Sequence, residues 1–273
     1  MEHQIIAPPA PLKRYVRYFW TLECGAAEES RYVLKILADR FPRLIIQHLE
    51  GRSAIRKADG EVLPAAFLGG VSTRPCTYHI NGGYAHTGVS FYPHGLHRIF
   101  GTDAGTLTNA FTDLSDFCPH RLRERLCLAA SRAERMALLA RFLLDQLPQR
   151  GREDALLHER LLSGSLECPS VSLAASFKGH KLSERQLERK FKSVVGIPHS
   201  TYLRIVRFEK AFQRLQTTPF EKIQDIAYGL NYSDHSHFTR EFKQFSGYTP
   251  KAFLAEQKST EESTSFLVND PGK

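Results

Sequence analysis

The last third of the chain carries the same short pattern twice, and this repetition constrains the fold more than any other feature. Residues 183–191 and 233–242 each run from a Ser to the sequence apolar-x-Arg-x-Phe, and a Lys, a Gly and a Pro follow each copy. A Ser can cap the start of a helix, whereas Gly followed by Pro is typical of its end. The pattern therefore predicts two similar short helices. Their predicted N-caps are Ser183 and Ser233, and their predicted C-terminal residues are Gly196 and Gly247.

A further short helix is predicted before each copy, so that each copy becomes a helix-turn-helix unit. In the second unit, Ile226 and Leu230 share one face of residues 220–230. Asn231 follows them, and Asn tolerates the positive φ of a tight turn. The corresponding helix of the first unit is residues 171–178, and a longer amphipathic helix, residues 199–216, connects the two units.

These residues resemble the signature of AraC/XylS-type transcriptional regulators. The second unit carries Ile226-Ala227, Asn231-Tyr232-Ser233-Asp234, Ser236-x-Phe238-x-Arg240-x-Phe242-Lys243 and Gly247-Tyr248-Thr249-Pro250. The first unit and the connecting helix carry Ser183-x-Arg185-x-Leu187-x-Arg189-x-Phe191-Lys192 and Arg204-x-x-Arg207-Phe208-x-x-Ala211. The departures are Asn231 where the family usually has Gly, Tyr232 where it usually has Phe, and a longer first turn at residues 179–181. The resemblance implies a double helix-turn-helix domain that binds DNA.

The predicted DNA surface is the polar face of the second helix of each unit, which in a helix-turn-helix lies in the major groove. The resemblance implies the same helix positions. The predicted base-reading residues are Arg185, Glu188, Arg189, Asp234, His235, Ser236, His237 and Arg240. The predicted contacts to the DNA backbone are Lys192, Thr239 and Lys243. The alternative is that Arg189 and Arg240 only form salt bridges to nearby carboxylates such as Glu241.

The distribution of charge agrees with a DNA-binding domain. The whole chain of 273 residues has a formal net charge of +8. Residues 166–258 carry 15 Lys and Arg against 9 Asp and Glu, whereas residues 1–165 carry 21 against 17. The basic excess is therefore denser in the repeated region, as neutralisation of phosphates requires. Charge alone is equally compatible with a solvated basic surface.

The first part of the chain has the pattern of a small sandwich or barrel-like sheet, because short aromatic and β-branched runs alternate with turn residues. The predicted strands are residues 15–22, 32–37, 43–49, 53–56, 66–68, 77–80 and 88–92. Helices are predicted after them at residues 95–100, 119–128 and 133–147. The predicted fold class is α+β in two domains, a β-rich amino-terminal domain with trailing helices and an all-α carboxy-terminal domain.

The predicted domains are residues 1–165, which would be regulatory, residues 166–258, which would bind DNA, and a polar, disordered tail at residues 259–273. Ser163-Gly164-Ser165 is predicted to be a flexible joint. The amino-terminal part resembles an uncharacterised domain that is attached to some AraC-type regulators. That resemblance is carried by Tyr18-Phe19-Trp20, Phe67-Leu68-Gly69-Gly70, Arg74-Pro75 and Gly88-Val89-Ser90-Phe91-Tyr92-Pro93. It implies a sensing role.

An amino-terminal domain with enzymatic or metal-binding activity is the alternative. His79, His86, His94 and His97 lie near one another in sequence, but no carboxylate lies at ligand spacing. Ser90, Cys76 and His86 could supply a nucleophile and a base, but no Gly-x-Ser-x-Gly motif surrounds the Ser. The five cysteines form no C-x-x-C pair. We therefore expect a protein that is not an enzyme and needs no cofactor or metal.

The expected partners follow from these assignments. Double-stranded DNA is the first, and RNA polymerase is a candidate. A small molecule or a protein is the expected effector of the amino-terminal domain, and a homodimer is a further candidate. No membrane partner is expected, because no apolar run approaches the ~20 residues needed to cross a bilayer. The expected location is the cytoplasm, since the chain begins without a basic leader.

Overall fold

The fold was analysed in a computed structural model, which describes residues 2–24, 31–49, 54–118, 120–129, 131–147, 155–162, 167, 173, 182–217, 222–256 and 265–269. These residues form two antiparallel β-sheets and nine α-helices. The sheets and the first helices belong to the amino-terminal part, and the last five helices belong to the carboxy-terminal part. No helix within the described ranges is both long enough and apolar enough to cross a bilayer.

The first sheet has six strands and the second has four. In spatial order the first sheet contains β1 (Glu2–Ile6), β2 (Val16–Cys24), β8 (Tyr84–Phe91), β4 (Arg43–Gln47), β6 (Ala66–Gly69) and β9 (Phe111–Asp113). The second contains β10 (Ser265–Asn269), β3 (Arg31–Ile36), β7 (Cys76–Asn81) and β5 (Arg56–Lys57).

Alternation along the strands gives the first sheet two buried faces. Tyr84 on β8 packs in a cluster with Ile36 and Ile80 of the second sheet. Val89 and Phe91 on the same strand instead join a cluster that contains the following helices. Those helices are α1 (Gly95–Phe100), α2 (His120–Leu128) and α3 (Arg132–Gln146), and α4 (Ala155–Leu162) comes after them. The first sheet is thus the middle layer of the amino-terminal domain.

The carboxy-terminal part is helical and has a core rich in Phe. Its helices are α5 (Glu184–Val195), α6 (His199–Thr217), α7 (Ile223–Gly229), α8 (His235–Ser246) and α9 (Pro250–Glu256). Phe208 on α6 contacts Phe242 and Phe245 on α8, with ring centroids 5.3 and 5.5 Å apart. Phe253 on α9 closes the same cluster. The second unit therefore packs against the connecting helix α6.

The predicted fold class is confirmed, and most predicted strands and helices match to within a few residues. Strands β1 and β9 and helices α4 and α9 were not predicted. The prediction of a disordered tail is wrong for β10, which pairs antiparallel with β3. Its sequence, Ser-Phe-Leu-Val-Asn, is a short apolar and β-branched run that can bond the open edge of a sheet. The joint at residues 163–165 and, apart from residue 173, the helix at residues 171–178 lie outside the described residues.

Helix α5, the predicted second helix of the first unit, is docked on the amino-terminal domain through its C-terminal end. The hydroxyl of Thr108 donates a hydrogen bond of 2.8 Å to the carbonyl of Gly196. Gly196 has φ +100°, and a Cβ there would lie 2.8 Å from Thr108 Oγ1 and 2.9 Å from the Ala104 carbonyl oxygen. The close approach of the two domains therefore depends on the missing side chain at this position.

Arg40 joins the loop after β3 to the connecting helix. Its guanidinium forms a salt bridge of 2.9 Å to Glu209 and a hydrogen bond of 3.0 Å to the hydroxyl of Tyr202, and it also pairs with Glu167. Its backbone N–H donates to Glu209 as well, at 3.1 Å. Burial raises the pKa of Glu209 to about 7, although the Arg40 charge opposes the shift. Nearby, the Ala38 N–H donates to the Phe245 carbonyl at 2.8 Å, which attaches α8 to the same loop.

Replacing Gly196 by Ala tests the docking contact, and Gly60→Ala is the matched control. Gly60 also has positive φ, at +89°, but a Cβ there would meet nothing within 4 Å. We expect Gly60→Ala to lower the free energy of unfolding by about 1–2 kcal/mol through backbone strain alone. Gly196→Ala should cost about 3 kcal/mol or more, because steric overlap adds to the strain. Equal losses in urea denaturation of the two variants would contradict a tight interdomain contact at Gly196.

Candidate nucleic-acid interface

The second helix-turn-helix unit consists of α7, a five-residue connection at residues 230–234, and α8. The Ala227 carbonyl near the end of α7 accepts from the N–H groups of Leu230 and Tyr232, at 3.3 and 3.0 Å. Asn231 between them has φ +57°, as its type predicts. The side chain of Ala227 is fully buried, so a larger residue would push the two helices apart. The turn thereby fixes the angle at which α8 is presented.

The N-cap of α8 is Asp234, and the prediction that Ser233 caps this helix is wrong. Asp234 Oδ1 accepts from the His237 N–H at 2.7 Å. Counted back from the last Phe of each repeat, Asp234 is the equivalent of Ser183, which explains the difference. The hydrogen bond from the His237 N–H is the main reason that the pKa of Asp234 lies below its ordinary value. Ser233 instead contacts the imidazole of His237, at 3.0 Å.

The second helix of the first unit, α5, begins as predicted. Ser183 accepts from the Gln186 N–H, and the Gln186 side chain accepts from the Ser183 N–H at 2.8 Å, which together form a capping box. Gly196 ends α5 and Gly247 ends α8, both with positive φ. The two second helices thus begin at a side-chain cap and end at a Gly, as their repeated sequence predicts.

The polar faces of both second helices are open to solvent. On α5 the exposed residues are Arg185, Arg189 and Lys192, and Glu188 is half-buried. On and before α8 the exposed residues are Asp234, His235, Ser236, Arg240 and Lys243, and His237 and Thr239 are half-buried. The opposite faces are buried in the core, through Leu187 and Phe191 on α5 and through Phe238 and Phe242 on α8. Neither candidate DNA surface is covered by the amino-terminal domain.

Glu241 does not pair with Arg240, which was the alternative considered for that arginine. Its side chain is only 2% exposed and lies between two arginines of α6. Arg204 Nε and Arg207 Nη2 each approach a Glu241 oxygen to 2.7 Å. No carboxylate within the described ranges forms a salt bridge with Arg189 or Arg240, so both guanidiniums remain available at the surface.

The structural role of Arg204 and Arg207 was not predicted from the sequence. Arg207 also lies over the ring of Tyr232, 4.0 Å from its centroid, and Arg204 donates to Gln244 at 2.7 Å. The spacing of three residues between the two arginines places both on one face of α6 and is the signal that could have indicated it. Together these contacts fix α8 against the connecting helix.

The histidines that suggested a metal site have separate partners. His86 Nε2 accepts from the Trp20 indole at 2.6 Å, His94 Nε2 lies 2.9 Å from the Arg14 carbonyl, and His97 bonds the Thr102 carbonyl. His79 lies on β7 in the second sheet. Within the part of the chain that the structure describes, no group of three His, Cys, Asp or Glu side chains could hold a metal ion.

The residues considered as a nucleophile and a base are also separated by the fold. Cys76 lies on β7 in the second sheet, whereas Ser90 and His86 lie on β8 in the first. The Ser90 hydroxyl is buried and is contacted by Arg17 at 3.5 Å. Burial lowers the pKa of His86 to about 3, so its ring is neutral at physiological pH.

Residues 178–256 match the helix-turn-helix domain family. The carboxy-terminal domain is a helix-turn-helix domain of the AraC type. Residues 4–113 match a domain of unknown function, DUF6597. The resemblances stated from the sequence are therefore confirmed for both parts of the chain.

Similarity to characterised proteins lies in part of the chain. The chain is 41% identical over 71 residues to the F1 operon positive regulatory protein of Yersinia pestis, which is 26% of this chain and 23% of that protein. It is 35% identical over 112 residues to the HTH-type transcriptional activator RhaR of Salmonella arizonae, which is 40% and 39% of the two chains. The chain thus spans less than half the length of these relatives.

A solved structure similar to the whole chain is ToxT from Vibrio cholerae. The two have 13% sequence identity and a TM-score of 0.43, and the match covers 88% of this chain and 99% of ToxT.

Removal of the Glu241 charge should destabilise the carboxy-terminal domain. We expect Glu241→Gln to lower the free energy of unfolding by about 1–3 kcal/mol, because charge-assisted hydrogen bonds to two arginines are lost. Asp145→Asn is the control, since it neutralises an exposed carboxylate paired with Arg141 on α3. That change should stay within about 0.5 kcal/mol. Chemical denaturation of the full chain measures both losses. Equal losses in the free energy of unfolding for the two variants would show that the buried Glu241 pairs stabilise the fold no more than an exposed pair does.

Asp234 should contribute as a helix cap, and the two variants Asp234→Asn and Asp234→Ala separate this role from charge. Asn caps as well as Asp, so we expect it to keep the melting temperature, whereas Ala should lower it. Because the folded-state pKa is depressed, the stabilisation by the carboxylate is present at neutral pH and is lost as the pH falls through that lowered value. Thermal melts of both variants over a pH series measure this, and an Ala variant that melts like the wild type would disprove the cap.

Proposed function

We propose that the protein is a sequence-specific transcription regulator, whose two helix-turn-helix units bind neighbouring segments of one DNA duplex. The observation that carries this proposal is the simultaneous exposure of two polar helix faces that share one connecting helix. The membership of residues 178–256 in the helix-turn-helix family supports it. The names of the relatives, a transcriptional activator and a positive regulatory protein, support it further.

The residues that we expect to contact DNA follow from their places on the two faces. Arg185, Arg189 and Arg240 are exposed, and an arginine can donate two hydrogen bonds to a guanine edge. Glu188 and Asp234 can accept from cytosine. His235, Ser236 and His237 lie in the first turn of α8, which enters the groove first. Lys192, Thr239 and Lys243 lie farther along the same helices, where phosphate contacts fix the register.

Control would come from the amino-terminal domain, residues 1–165, through its contacts with the DNA-binding domain, residues 166–258. The docking at Gly196, the Arg40 cluster and the pairing of β10 with β3 all connect the two. An effector that binds one docked arrangement better than another would shift the population of arrangements. We propose a small molecule or a protein as this effector, with RNA polymerase and a second copy of the chain as candidate partners in the cytoplasm.

Arg240→Ala tests base reading in the full chain. We expect DNA affinity to fall by about 1–3 kcal/mol and the preference at one base pair to relax. Arg141→Ala removes the same charge from an exposed site on α3 and should leave DNA affinity and base preference unchanged. Binding-site selection from a random DNA pool, followed by titration of selected and altered sites, gives both quantities.

The same titrations over a salt series test the contribution of the backbone contacts. Affinity should fall steeply with salt because bound phosphates release counterions. Lys243→Ala should weaken all sequences alike and reduce the salt slope. An unchanged base preference in Arg240→Ala would remove its assigned role, and a flat salt slope for the wild type would contradict DNA binding as the function.

A further inference from the structure

A polar cavity of about 230 Å³ lies in the amino-terminal domain, between the first sheet and the start of α3. Strand alternation places it on the helix-facing side of that sheet, since Thr87 has the same parity as Val89 and Phe91. It is therefore separate from the apolar cluster between the two sheets. Its charged and hydroxyl lining residues are Thr21, Glu23, Thr87, Ser131, Arg132 and Arg135.

Arg135 is the unusual member of this lining. The residue is only 8% exposed, and its buried Nε has no hydrogen-bond partner. Within the described ranges, no carboxylate forms a salt bridge with it. An arginine stays charged at all physiological pH values, and a buried charge without a partner is costly. A polar cavity lined by such a residue points to an anion that completes the pair.

The neighbouring Arg132, which also lines the cavity, has carboxylate partners. Its guanidinium bonds Glu2 at 2.5 Å and also pairs with Glu23, so two carboxylates accept from it. The hydrogen bond and charge of Arg132 lower the pKa of Glu2. Arg132 therefore needs no further anion, whereas Arg135 in the same lining forms no salt bridge with a described carboxylate.

We propose that this cavity binds a small polar organic carboxylate through Arg135. The flat guanidinium can donate two parallel hydrogen bonds to a carboxylate. The cavity lies at the amino-terminal end of α3, which is 15 residues long and favours negative charge. The hydroxyls of Thr21 and Thr87 offer hydrogen bonds without charge, which suits hydroxyl groups on the ligand.

The size of the cavity favours an organic anion over an inorganic one. A water molecule occupies about 30 Å³, so about 230 Å³ corresponds to roughly eight waters. Inorganic phosphate would leave much of that space to water. The inference that this cavity is an effector site rests on the proposed regulatory function. The inference that it binds an anion does not depend on that function.

The test compares Arg135→Met with Arg141→Met in the full chain. Arg141 lies on the same helix but is exposed and paired with Asp145, so its variant is the matched control. Without added ligand, Arg135→Met should melt at or above the wild-type temperature, because a buried unpaired charge is removed. A lower melting temperature for Arg135→Met would mean that Arg135 has a structural partner and would overturn the proposal.

The ligand arm uses the sodium salts of acetate, gluconate and quinate, with glucose as the uncharged control and inorganic phosphate as the rival anion. The carboxylates should raise the melting temperature of the wild type and Arg141→Met and should bind Arg135→Met at least about tenfold more weakly. Equal shifts in all variants, or no shift with any carboxylate, would overturn the proposal. A phosphate shift larger than any carboxylate shift would overturn the carboxylate assignment.

DNA affinity with and without the carboxylate then separates the two levels of the proposal. A bound carboxylate that leaves DNA affinity unchanged would keep the anion site and remove its effector role, whereas a chain that binds no DNA would remove the proposed function alone.

Discussion

The buried carboxylate of Glu241 fixes the orientation of α8, one of the two helices that we propose bind DNA. It lies on the inner side of α8, one residue after Arg240, and two arginines of α6 satisfy its charge. A carboxylate in this position without both partners would pull α8 towards water. With them, α8 has one orientation on the connecting helix, and the face that carries Arg240 turns outward as a consequence. The pairing thus favours one orientation of α8 on the connecting helix.

The docked arrangement of the two domains limits how control can work. The end of α5 contacts Thr108 and Ala104 through its inner side, while Arg185 and Arg189 stay exposed on its outer side. The amino-terminal domain therefore does not mask the first recognition face. Helix α5 is attached to residues 104–108 and α8 to the loop after β3, so the amino-terminal domain contacts both of these helices away from their exposed faces.

Local chemistry made much of this predictable from the sequence. Caps, glycines and apolar spacing act within a few residues, so α5, α6, α8 and the turn at Asn231 could be derived. Ser233 was assigned wrongly because Ser and Asp are adjacent there and both can cap a helix. Strand β10 could not be derived, since its partner β3 lies more than two hundred residues earlier. For the same reason the interdomain contacts of Arg40 and Gly196 required the structure.

Two buried arginines of this chain differ in whether carboxylates of the protein pair with them. Arg40 reaches Glu209, Glu167 and Tyr202, and those contacts hold two domains together. Arg135 is also buried, but it lines a polar cavity and pairs with no carboxylate among the described residues. Where the same chain gives one buried guanidinium two carboxylates, the position of the other is better explained by the carboxylate ligand that we propose than by imperfect packing.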